Sequence, residues 1–450
     1  MSRNDLLDAI FKAYDVRGVY PDEIDEVLAR RVGNAFVGFT GAARVLVGRD
    51  ARPSSEPLVA AFIEGATRAG ADVVDLGLVS TDLMYFASGS LDAPGAMFTA
   101  SHNPAKYNGI KLCRAGAAPV GEETGLLQIK AAVADGLEER AEEPGRAERR
   151  DMLAQFVAHV RSFVDVGALA PLRVVTDTAN GVGGLVVPAV LSGLPFELET
   201  LYAELDGTFP NHPADPIQVE NLADLRKAVV EHSADVGLAF DGDADRVFLV
   251  DDRAEPLSGS TTTAILAKGI LERHPGESVV HNLICSKAVP EIIRESGGTP
   301  IRTRVGHSFI KQVMAETGAV FGGEHSAHYY FRDNFRADSG IIAALMVLEQ
   351  LSLAGIPLSE LRRPFERYAA SGEINRRVDE PAAVIDKIAA HYGDAEQDRL
   401  DGLTVDFGDW WFNLRPSNTE PLLRLNLEAA DRDACARHTD EVLALVGGSS

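Results

Sequence analysis

One pattern starts three times along the chain and narrows the choice of fold more than anything else in the sequence. Each time, a short run of β-branched and aliphatic residues leads into a small polar loop, and helical periodicity follows. The runs begin at Arg44, Arg173 and Ser278, and clear helical stretches cover 57–69 and 288–295. Strands that alternate with helices favour layered α/β architecture. We therefore predict three similar α/β domains, each with a mixed sheet between helices.

The last part of the chain follows a different pattern. Residues 403–407 and 422–426 alternate like antiparallel strands, between helical stretches at 382–391 and 432–446. This arrangement predicts a small α+β domain. The segment 132–150, rich in Glu, Arg and Ala, predicts a solvated helix and a linker. The predicted domains are 1–147, 148–251, 252–365 and 366–450.

The charge balance limits the possible partners. The chain carries 43 Lys and Arg against 67 Asp and Glu, a formal net charge of -24. So acidic a surface disfavours nucleic acid and anionic membranes, and an anionic substrate would need a local basic site. The three cysteines form no disulfide or zinc pattern, and neither a signal peptide nor a membrane-spanning run is evident. We expect a cytoplasmic protein that acts on small molecules.

The first loop that can carry chemistry is Thr99-Ala100-Ser101-His102-Asn103-Pro104, which follows the apolar run 96–98. Asn-Pro is typical of a turn, so a strand should end here and expose the serine. A serine hydroxyl needs a neighbouring base or metal to act as a nucleophile. His102 is adjacent in sequence, a poor position for a triad base, and no G-x-S-x-G elbow is present. Serine hydrolysis is therefore disfavoured, and an ordinary polar loop and phosphoryl transfer to Ser101 both stay open.

The second loop is Asp241-Gly242-Asp243-Ala244-Asp245-Arg246, between two apolar strand-like runs. Alternating aspartates can turn three carboxylates toward one centre, and hard oxygen ligands suit magnesium or calcium. An EF-hand would need glycine at the sixth position and glutamate at the twelfth, where this chain has Arg246 and Asp252. A solvated acidic turn is the plainer alternative. The apolar flanks favour a metal site that leaves room for a phosphate oxygen.

The third loop, 322–328, reads Gly-Gly-Glu-His-Ser-Ala-His. If this segment is extended, Glu324, Ser326 and His328 point the same way, and they could hold sugar hydroxyls and a phosphate. A zinc site at His325 and His328 lacks any H-E-x-x-H frame and is disfavoured. A histidine that is merely satisfied in the core is the more serious alternative.

The fourth loop, 415–421, reads Arg-Pro-Ser-Asn-Thr-Glu-Pro between two strand-like runs. Arginine, two hydroxyls and an amide can cradle a phosphate, since a guanidinium matches phosphate oxygens in bidentate fashion. Taken alone, the motif is explained equally well by a plain hairpin turn.

In order and spacing, the four loops together resemble those of the α-D-phosphohexomutase superfamily. The segments 11–18 (FKAYDVRG) and 107–111 (YNGIK) resemble two further motifs of that family, so the likeness runs along the whole chain. It implies three related α/β domains and a C-terminal α+β domain of the TATA-binding-protein type, arranged around a central cleft.

The resemblance also implies roles for individual residues. Ser101 would be phosphorylated, and Mg²⁺ would be held by the phosphoserine with Asp241, Asp243 and Asp245. Lys111 and Arg246 would lie beside the transferring group, with His102 as a further candidate catalytic residue. The implied substrate-binding residues are Tyr14, Arg17, Lys287, His307, Glu324, Ser326, His328, Arg415, Ser417, Asn418 and Thr419.

The implied reaction passes a phosphoryl group from the serine to a hexose phosphate, through a hexose 1,6-bisphosphate that turns over before the serine takes the other phosphate back. Residues 323–333 are most similar to bacterial phosphomannomutases, so we predict activity on mannose phosphates and also on glucose phosphates. The alternatives are a phosphoglucosamine mutase, a metal-dependent phosphatase and a non-catalytic sugar-phosphate-binding protein. The sequence leaves monomer and dimer open.

Overall fold

The computed structural model describes residues 3–136, 141–416 and 422–447. The chain divides into two compact units, Met1–Ser258 with Ser326–Leu361, and Gly259–His325 with Arg362–Ser450. Three of the predicted phosphate ligands, Ser417, Asn418 and Thr419, lie outside the described residues, as does the side chain of His307.

The first α/β layer lies in the first unit. Its sheet has the order β1-β5-β4-β2-β3-β7, with β6 beside β5. The strands are β1 Val16–Val19, β2 Arg44–Arg49, β3 Asp72–Leu78, β4 Gly95–Phe98, β5 Tyr107–Arg114, β6 Ala118–Pro119 and β7 Ala147–Arg149. The helices are α1 Arg3–Ile10, α2 Glu26–Thr40, α3 Ser55–Arg68, α4 Thr81–Leu91 and α5 Leu126–Asp135.

The prediction for 132–150 was wrong in one respect. Residues 147–149 form β7, which pairs in parallel with β3, instead of continuing a solvated linker. All three side chains of β7 are exposed, so the strand is held by its main-chain pairing and leaves no apolar pattern to recognise.

The second layer, in the same unit, is built on the sheet β11-β10-β8-β9. Its elements are α6 Leu153–Arg161, β8 Arg173–Asp177, α7 Gly183–Leu191, β9 Glu197–Leu201, α8 Ala223–Glu231, β10 Val236–Phe240 and β11 Val247–Asp251. β10 and β11 are antiparallel and pair from Phe240 with Val247, so the aspartate loop 241–246 is the connection of a hairpin.

The third layer begins in the second unit with α9 Gly259–Arg273, β12 Ser278–Asn282, α10 Ala288–Glu295, β13 Thr299–Thr303, α11 His307–Thr317 and β14 Phe321–Gly323. The chain then returns to the first unit with β15 Tyr329–Phe331, α12 Gly340–Ala354 and α13 Leu358–Leu361.

The C-terminal domain, in the second unit, is the sheet β16-β20-β19-β18-β17, in which every neighbouring pair of strands is antiparallel. Its elements are β16 Ala369–Arg377, α14 Pro381–His391, β17 Glu396–Asp398, β18 Leu403–Asp406, β19 Trp410–Pro416, β20 Leu422–Ala429 and α15 Arg432–Val446. The predicted α+β character of this segment is confirmed.

The three α/β layers share one strand layout. In each layer a central strand (β2, β8 or β12) pairs in parallel with two neighbours: β3 and β4, β9 and β10, or β13 and β14. The loops with Ser101, with the three aspartates and with Glu324 follow β4, β10 and β14, the same strand of each layer. The predicted repetition is therefore confirmed, and it places the three loops at equivalent strand ends.

The central strands of the first layer are held by a buried aromatic and aliphatic core. Val45 and Val47 of β2 are fully buried, as expected for a parallel strand covered by helices on both faces. Phe62 of α3 packs edge-on against Phe98 of β4, with the ring centroids 5.5 Å apart. Phe98 is the last residue of β4, so this packing fixes the point from which the serine loop leaves the sheet.

No single described helix is both long and apolar enough to cross a membrane. One bent pair of helices, 340–354 with 358–365, passes that test by length and composition only.

Candidate active site

The serine loop leaves β4 and turns at once. Ser101 is 5% exposed and has a φ of 49°, a left-handed conformation that is uncommon for a residue with a side chain. Its N–H donates to Thr99 Oγ1 at 2.8 Å, and its hydroxyl donates to Asp241 Oδ2 at 2.8 Å. The hydroxyl of the candidate nucleophile is therefore directed at the aspartate loop of the second layer.

The aspartate loop brings its three carboxylates together, as the spacing predicts. One oxygen from each of Asp241, Asp243 and Asp245 lies within 4.8 Å of the others, and all three residues are buried. The loop packs closely on the serine loop, because a Cβ added at Gly242 would lie 2.6 Å from the Ser101 carbonyl oxygen. Glycine at position 242 is what permits this approach.

Two cations balance the three carboxylates. Lys111 Nζ donates to Asp243 Oδ2 at 2.8 Å and to Asp245 Oδ2 at 2.7 Å. Arg246 pairs with Asp241 Oδ2 at 2.9 Å, and its Nη2 also lies 3.3 Å from Ser101 Oγ. Arg246 therefore lies beside the serine hydroxyl, and Lys111 lies beside the carboxylates of Asp243 and Asp245.

The protonation of this cluster is uneven. Burial, together with the charges of Asp243 and Asp245, raises the pKa of Asp241 to about 8 in spite of the neighbouring Arg246. Burial would also raise the pKa of Asp243, but the charge of Lys111 and the hydrogen bonds from Lys111 and Thr81 lower it far below its usual range. One carboxyl of the cluster therefore holds a proton readily while its neighbour stays ionised, and a bound cation would favour loss of that proton.

The chemistry of this donor set fits a hard divalent cation. Asp243 Oδ1 and Asp245 Oδ1 are buried and make no hydrogen bond to any residue that the structure describes. Buried carboxylate oxygens without a donor are costly unless something supplies positive charge. Oxygen ligands at this number and spacing suit Mg²⁺, which usually keeps positions open for phosphate oxygens.

His102 lies beside the serine hydroxyl. Its Nδ1 lies 3.2 Å from Ser101 Oγ and 2.6 Å from Arg246 Nη2, so adjacency in sequence does not separate the ring from the serine hydroxyl. Burial, then the charges of Arg246 and Arg17, lower the pKa of His102 to about 2, so the ring is neutral. Since the arginine nitrogen can only donate, Nδ1 accepts, and the ring orients the guanidinium.

Of the two predicted residues in the opening motif, Arg17 contacts the serine loop. Arg17 of β1 donates through Nη1 to Asn103 Oδ1 at 2.6 Å and pairs with Asp15. Tyr14 is half-buried in the bend before β1.

The third loop is a turn, so the extended conformation in which Glu324, Ser326 and His328 would point the same way is not present. Residues 325 and 326 form a turn and Ala327 has a φ of 64°. Within the first unit, Ser326 Oγ lies 3.2 Å from His328 Nδ1, and His328 Nε2 lies 3.8 Å from Asp245 Oδ1. Glu324 is buried within the second unit.

The second unit holds the remaining predicted ligands that the structure describes. Lys287 Nζ donates to Asp406 Oδ1 at 2.6 Å and lines a cavity of about 300 Å³ with Trp411. Arg415 Nη2 donates to Glu373 Oε2 at 2.7 Å. Both cations are thus engaged with carboxylates of the C-terminal domain.

Sequence reasoning missed two residues that brace the site. Thr81, at the first position of α4, donates its N–H to the Asp243 carbonyl at 3.0 Å and its hydroxyl to Asp243 Oδ2 at 2.6 Å. Arg52 lies below the serine loop with its side chain fully buried. For Arg52, the sequence signal is an arginine in an Arg-Asp-Ala-Arg-Pro loop that follows the apolar run 45–47.

Comparison with known proteins agrees with this geometry. Four domain models of the family match, described as phosphoglucomutase/phosphomannomutase alpha/beta/alpha domains I, II and III and the C-terminal domain, at residues 8–140, 154–255, 258–368 and 373–445. A protein named "Phosphohexose mutases" from Xanthomonas campestris is 42% identical over 443 residues, which cover 97% of this chain and 99% of that protein. A phosphomannomutase of Salmonella typhimurium is 40% identical over 448 residues, covering 97% and 98%.

A solved structure of a phosphoglucomutase/phosphomannomutase family protein from Burkholderia thailandensis matches with a TM-score of 0.89 and 32% identity, covering 98% of both chains. The four domain models together span most of the sequence, and the relatives align along nearly all of it. The chain therefore belongs to the phosphoglucomutase/phosphomannomutase family and is a phosphosugar mutase.

Proposed function

We propose that the enzyme interconverts mannose 6-phosphate and mannose 1-phosphate, and the corresponding glucose phosphates, through a phosphorylated Ser101 and a hexose 1,6-bisphosphate. The observation that carries the proposal is the 2.8 Å hydrogen bond from Ser101 Oγ to Asp241 Oδ2, inside a buried cluster that fits a divalent cation. Phosphoryl transfer needs mainly positioning and neutralised charge, and this cluster supplies both.

Arg246 and Asp241 have separate roles in the two transfer steps. When the sugar hydroxyl attacks, the bond between phosphorus and Ser101 Oγ breaks, a bond to the sugar oxygen forms, and the proton of that hydroxyl ends on Ser101 Oγ. Arg246 Nη2, 3.3 Å from Oγ, stabilises the negative charge that develops on the serine oxygen. When the serine later attacks the other phosphate, Asp241 Oδ2 is the acceptor placed to take its proton.

Asp241, Asp243 and Asp245, with an oxygen of the phosphoserine, would hold Mg²⁺, whose charge would offset that of the phosphoryl oxygens. Lys111 keeps Asp243 and Asp245 in place and adds positive charge next to them. We assign Glu324 and Ser326 to sugar hydroxyls, Arg415 with the 417–419 segment to the phosphate that does not react, and Lys287, His307, His328, Tyr14 and Arg17 to further substrate contacts.

The proposed sugar preference follows from the family and from the third loop. Glucose and mannose differ only at carbon 2, and residues that hold hydroxyls 3 and 4 do not separate them. We expect the catalytic efficiencies for mannose 1-phosphate and glucose 1-phosphate to agree within about tenfold, since we assign no residue to the hydroxyl at carbon 2. Glucosamine 1-phosphate carries a charged ammonium group at carbon 2, and burying that charge without a partner should make it at least about 100-fold worse. Equal efficiency on glucosamine 1-phosphate would contradict the proposal and favour a phosphoglucosamine mutase.

The test of mechanism is Ser101→Ala, with Ser88→Ala as a matched control. Ser88 is a buried serine whose hydroxyl donates to the Ala93 carbonyl at 2.8 Å, away from the cluster. With a trace of glucose 1,6-bisphosphate and Mg²⁺, Ser101→Ala should lose all measurable mutase activity and gain no phosphoryl mass. Ser88→Ala should be labelled on Ser101 and turn over. A Ser101→Ala enzyme that works at the wild-type rate contradicts the phosphoserine mechanism, and free phosphate as the main product contradicts the mutase assignment.

A further inference from the structure

The buried side chain of Arg52 makes a set of contacts that the reaction outlined above does not use. Its Nε donates to Asp50 Oδ2 at 2.9 Å, and its Nη1 donates to the carbonyls of Pro104 and Tyr107 at 2.8 and 3.0 Å. Its Nη2 donates to the carbonyls of Ser101 and Asn103 at 2.9 and 2.7 Å. All five N–H donors of the guanidinium are thus taken: three hold the main chain of the serine loop, one holds that of Tyr107 at the start of β5, and one pairs with Asp50.

This arrangement leaves Arg52 nothing with which to bind a substrate. Its side chain is 0% exposed and its last donor is fixed by Asp50, which is itself held by the hydroxyl of Ser55 at 2.7 Å. The ring of Phe209, in the second layer, also lies over the guanidinium, with Arg52 Cζ 5.0 Å from the ring centroid. The residue is therefore built into the floor of the serine loop.

What the guanidinium holds is an unfavourable backbone conformation. Ser101 has a φ of 49°, which costs free energy for a residue with a side chain and persists only when its surroundings fix it. Arg52 clamps the carbonyl of Ser101, while Thr99 Oγ1 clamps its N–H. Release of the carbonyl would let the peptide relax and carry Oγ away from Asp241.

We infer that Arg52 is a positioning residue for phosphoryl transfer: it holds Ser101 in the left-handed conformation that directs Oγ at Asp241, without touching the substrate. The inference rests on the proposed function of Ser101. A lysine at position 52 would keep the charge, but one nitrogen cannot reach four carbonyls spread over residues 101–107.

The test compares Arg52→Lys with a matched control, Arg161→Lys. Arg161 is also a guanidinium bound to main-chain carbonyls, those of Ala189, Val190 and Ser192, but these lie at the end of α7. On each full-length variant, three quantities are measured: the rate at which glucose 1,6-bisphosphate phosphorylates Ser101, followed by intact mass, the KM for glucose 1-phosphate, and the affinity for Mn²⁺ used as a spectroscopic probe.

For Arg52→Lys we expect the phosphorylation rate and kcat to fall about 100-fold, the loss typical of a misplaced reacting group, with KM and Mn²⁺ affinity changed less than about 3-fold. Hydrogen exchange of segment 99–107 should rise. Arg161→Lys should keep the phosphorylation rate, even at an equal loss of thermal stability. A wild-type phosphorylation rate in Arg52→Lys, or an equal loss in both variants, overturns the inference.

A second variant covers the case in which Arg52→Lys does not fold. Asp50→Asn keeps the arginine but replaces the carboxylate that orients Nε, so the phosphorylation rate should fall at least about tenfold at an unchanged KM. A wild-type rate in Asp50→Asn overturns the inference. If the wild-type enzyme itself is not phosphorylated on Ser101, the proposed function fails and this inference falls with it. If the wild type is labelled and the variants are labelled equally fast, only the positioning role fails.

Discussion

Removal of Lys111 should destabilise the metal-free enzyme and make its stability depend on magnesium. Lys111 Nζ contacts Asp243 and Asp245 at 2.8 and 2.7 Å, and these carboxylates are 0% and 2% exposed. Burial alone would lower the pKa of Lys111, but the charges of the two aspartates outweigh it and raise this pKa well above its usual range. Lys111→Met therefore removes a full charge from a buried pair of anions, which costs about 3–5 kcal/mol in comparable cases.

A divalent cation should restore much of that loss, because it provides the charge that the lysine supplied. Ligand at 100 times its Kd stabilises a folded protein by about 2.7 kcal/mol. In the wild type, Lys111 already offsets part of the charge of Asp243 and Asp245, so magnesium should stabilise the wild type less than the variant. We expect the gain on saturation with Mg²⁺ to be larger in Lys111→Met by at least about 1.4 kcal/mol, a tenfold difference in affinity.

The assay is urea unfolding of both proteins in EDTA and across a magnesium series, with Lys130→Met as the control. Lys130 pairs with Asp8 at 2.5 Å, but Asp8 is 68% exposed, so this substitution should cost less than about 1 kcal/mol in any magnesium concentration. A loss below about 1 kcal/mol for Lys111→Met in EDTA, or a magnesium response no larger than that of the wild type, would refute the charge argument.

Two further predictions test the packing and protonation of the fold. Gly242→Ala puts a Cβ 2.6 Å from the Ser101 carbonyl oxygen, so it should lower the free energy of unfolding by about 1–3 kcal/mol and slow phosphorylation of Ser101. The control is Gly38→Ala in α2, where a Cβ has open space around it. It should be neutral or slightly stabilising in the same unfolding and mass assays. Burial lowers the pKa of His281 to about 4, so the unfolded chain binds a proton that the folded chain excludes, and stability should fall by about 3 kcal/mol as pH drops from about 6.5 to 4. This part of the pH slope should be missing in His281→Gln, measured by urea unfolding; an unchanged slope would contradict a buried neutral ring.

Local signals were enough to predict the layers and the loops. The strand runs at residues 44, 173 and 278 became β2, β8 and β12 because an apolar run beside a glycine- or aspartate-rich loop has few other stable conformations. The aspartate spacing predicted the cluster of carboxylates for the same reason: a tight hairpin connection leaves alternate side chains facing one point. The domain limits at 147, 251 and 365 stay predictions.

What the sequence could not predict depends on contacts between distant segments. Arg52 lies about 50 residues from the carbonyls that it holds, with hydrogen bonds across sequence separations of 49 to 55 residues, and a single buried arginine leaves no periodic pattern. The strand at 147–149 is recruited by β3 through main-chain pairing alone. His102 reached the serine hydroxyl because the left-handed turn at Ser101 brings two adjacent side chains to one side, which residue order alone does not show.

The equivalent placement of three loops, after β4, β10 and β14, lets a single chain assign separate tasks to copies of one layout. Each copy can change its loop without disturbing the strand order that the other two share, so the proposed nucleophile, cation ligands and sugar contacts can diversify independently. A protein with only one such copy would have to recruit separate polypeptides to obtain the full set. Because the three copies are joined in one polypeptide, they are always present in equal numbers. Bringing them together does not depend on the concentration of separate proteins.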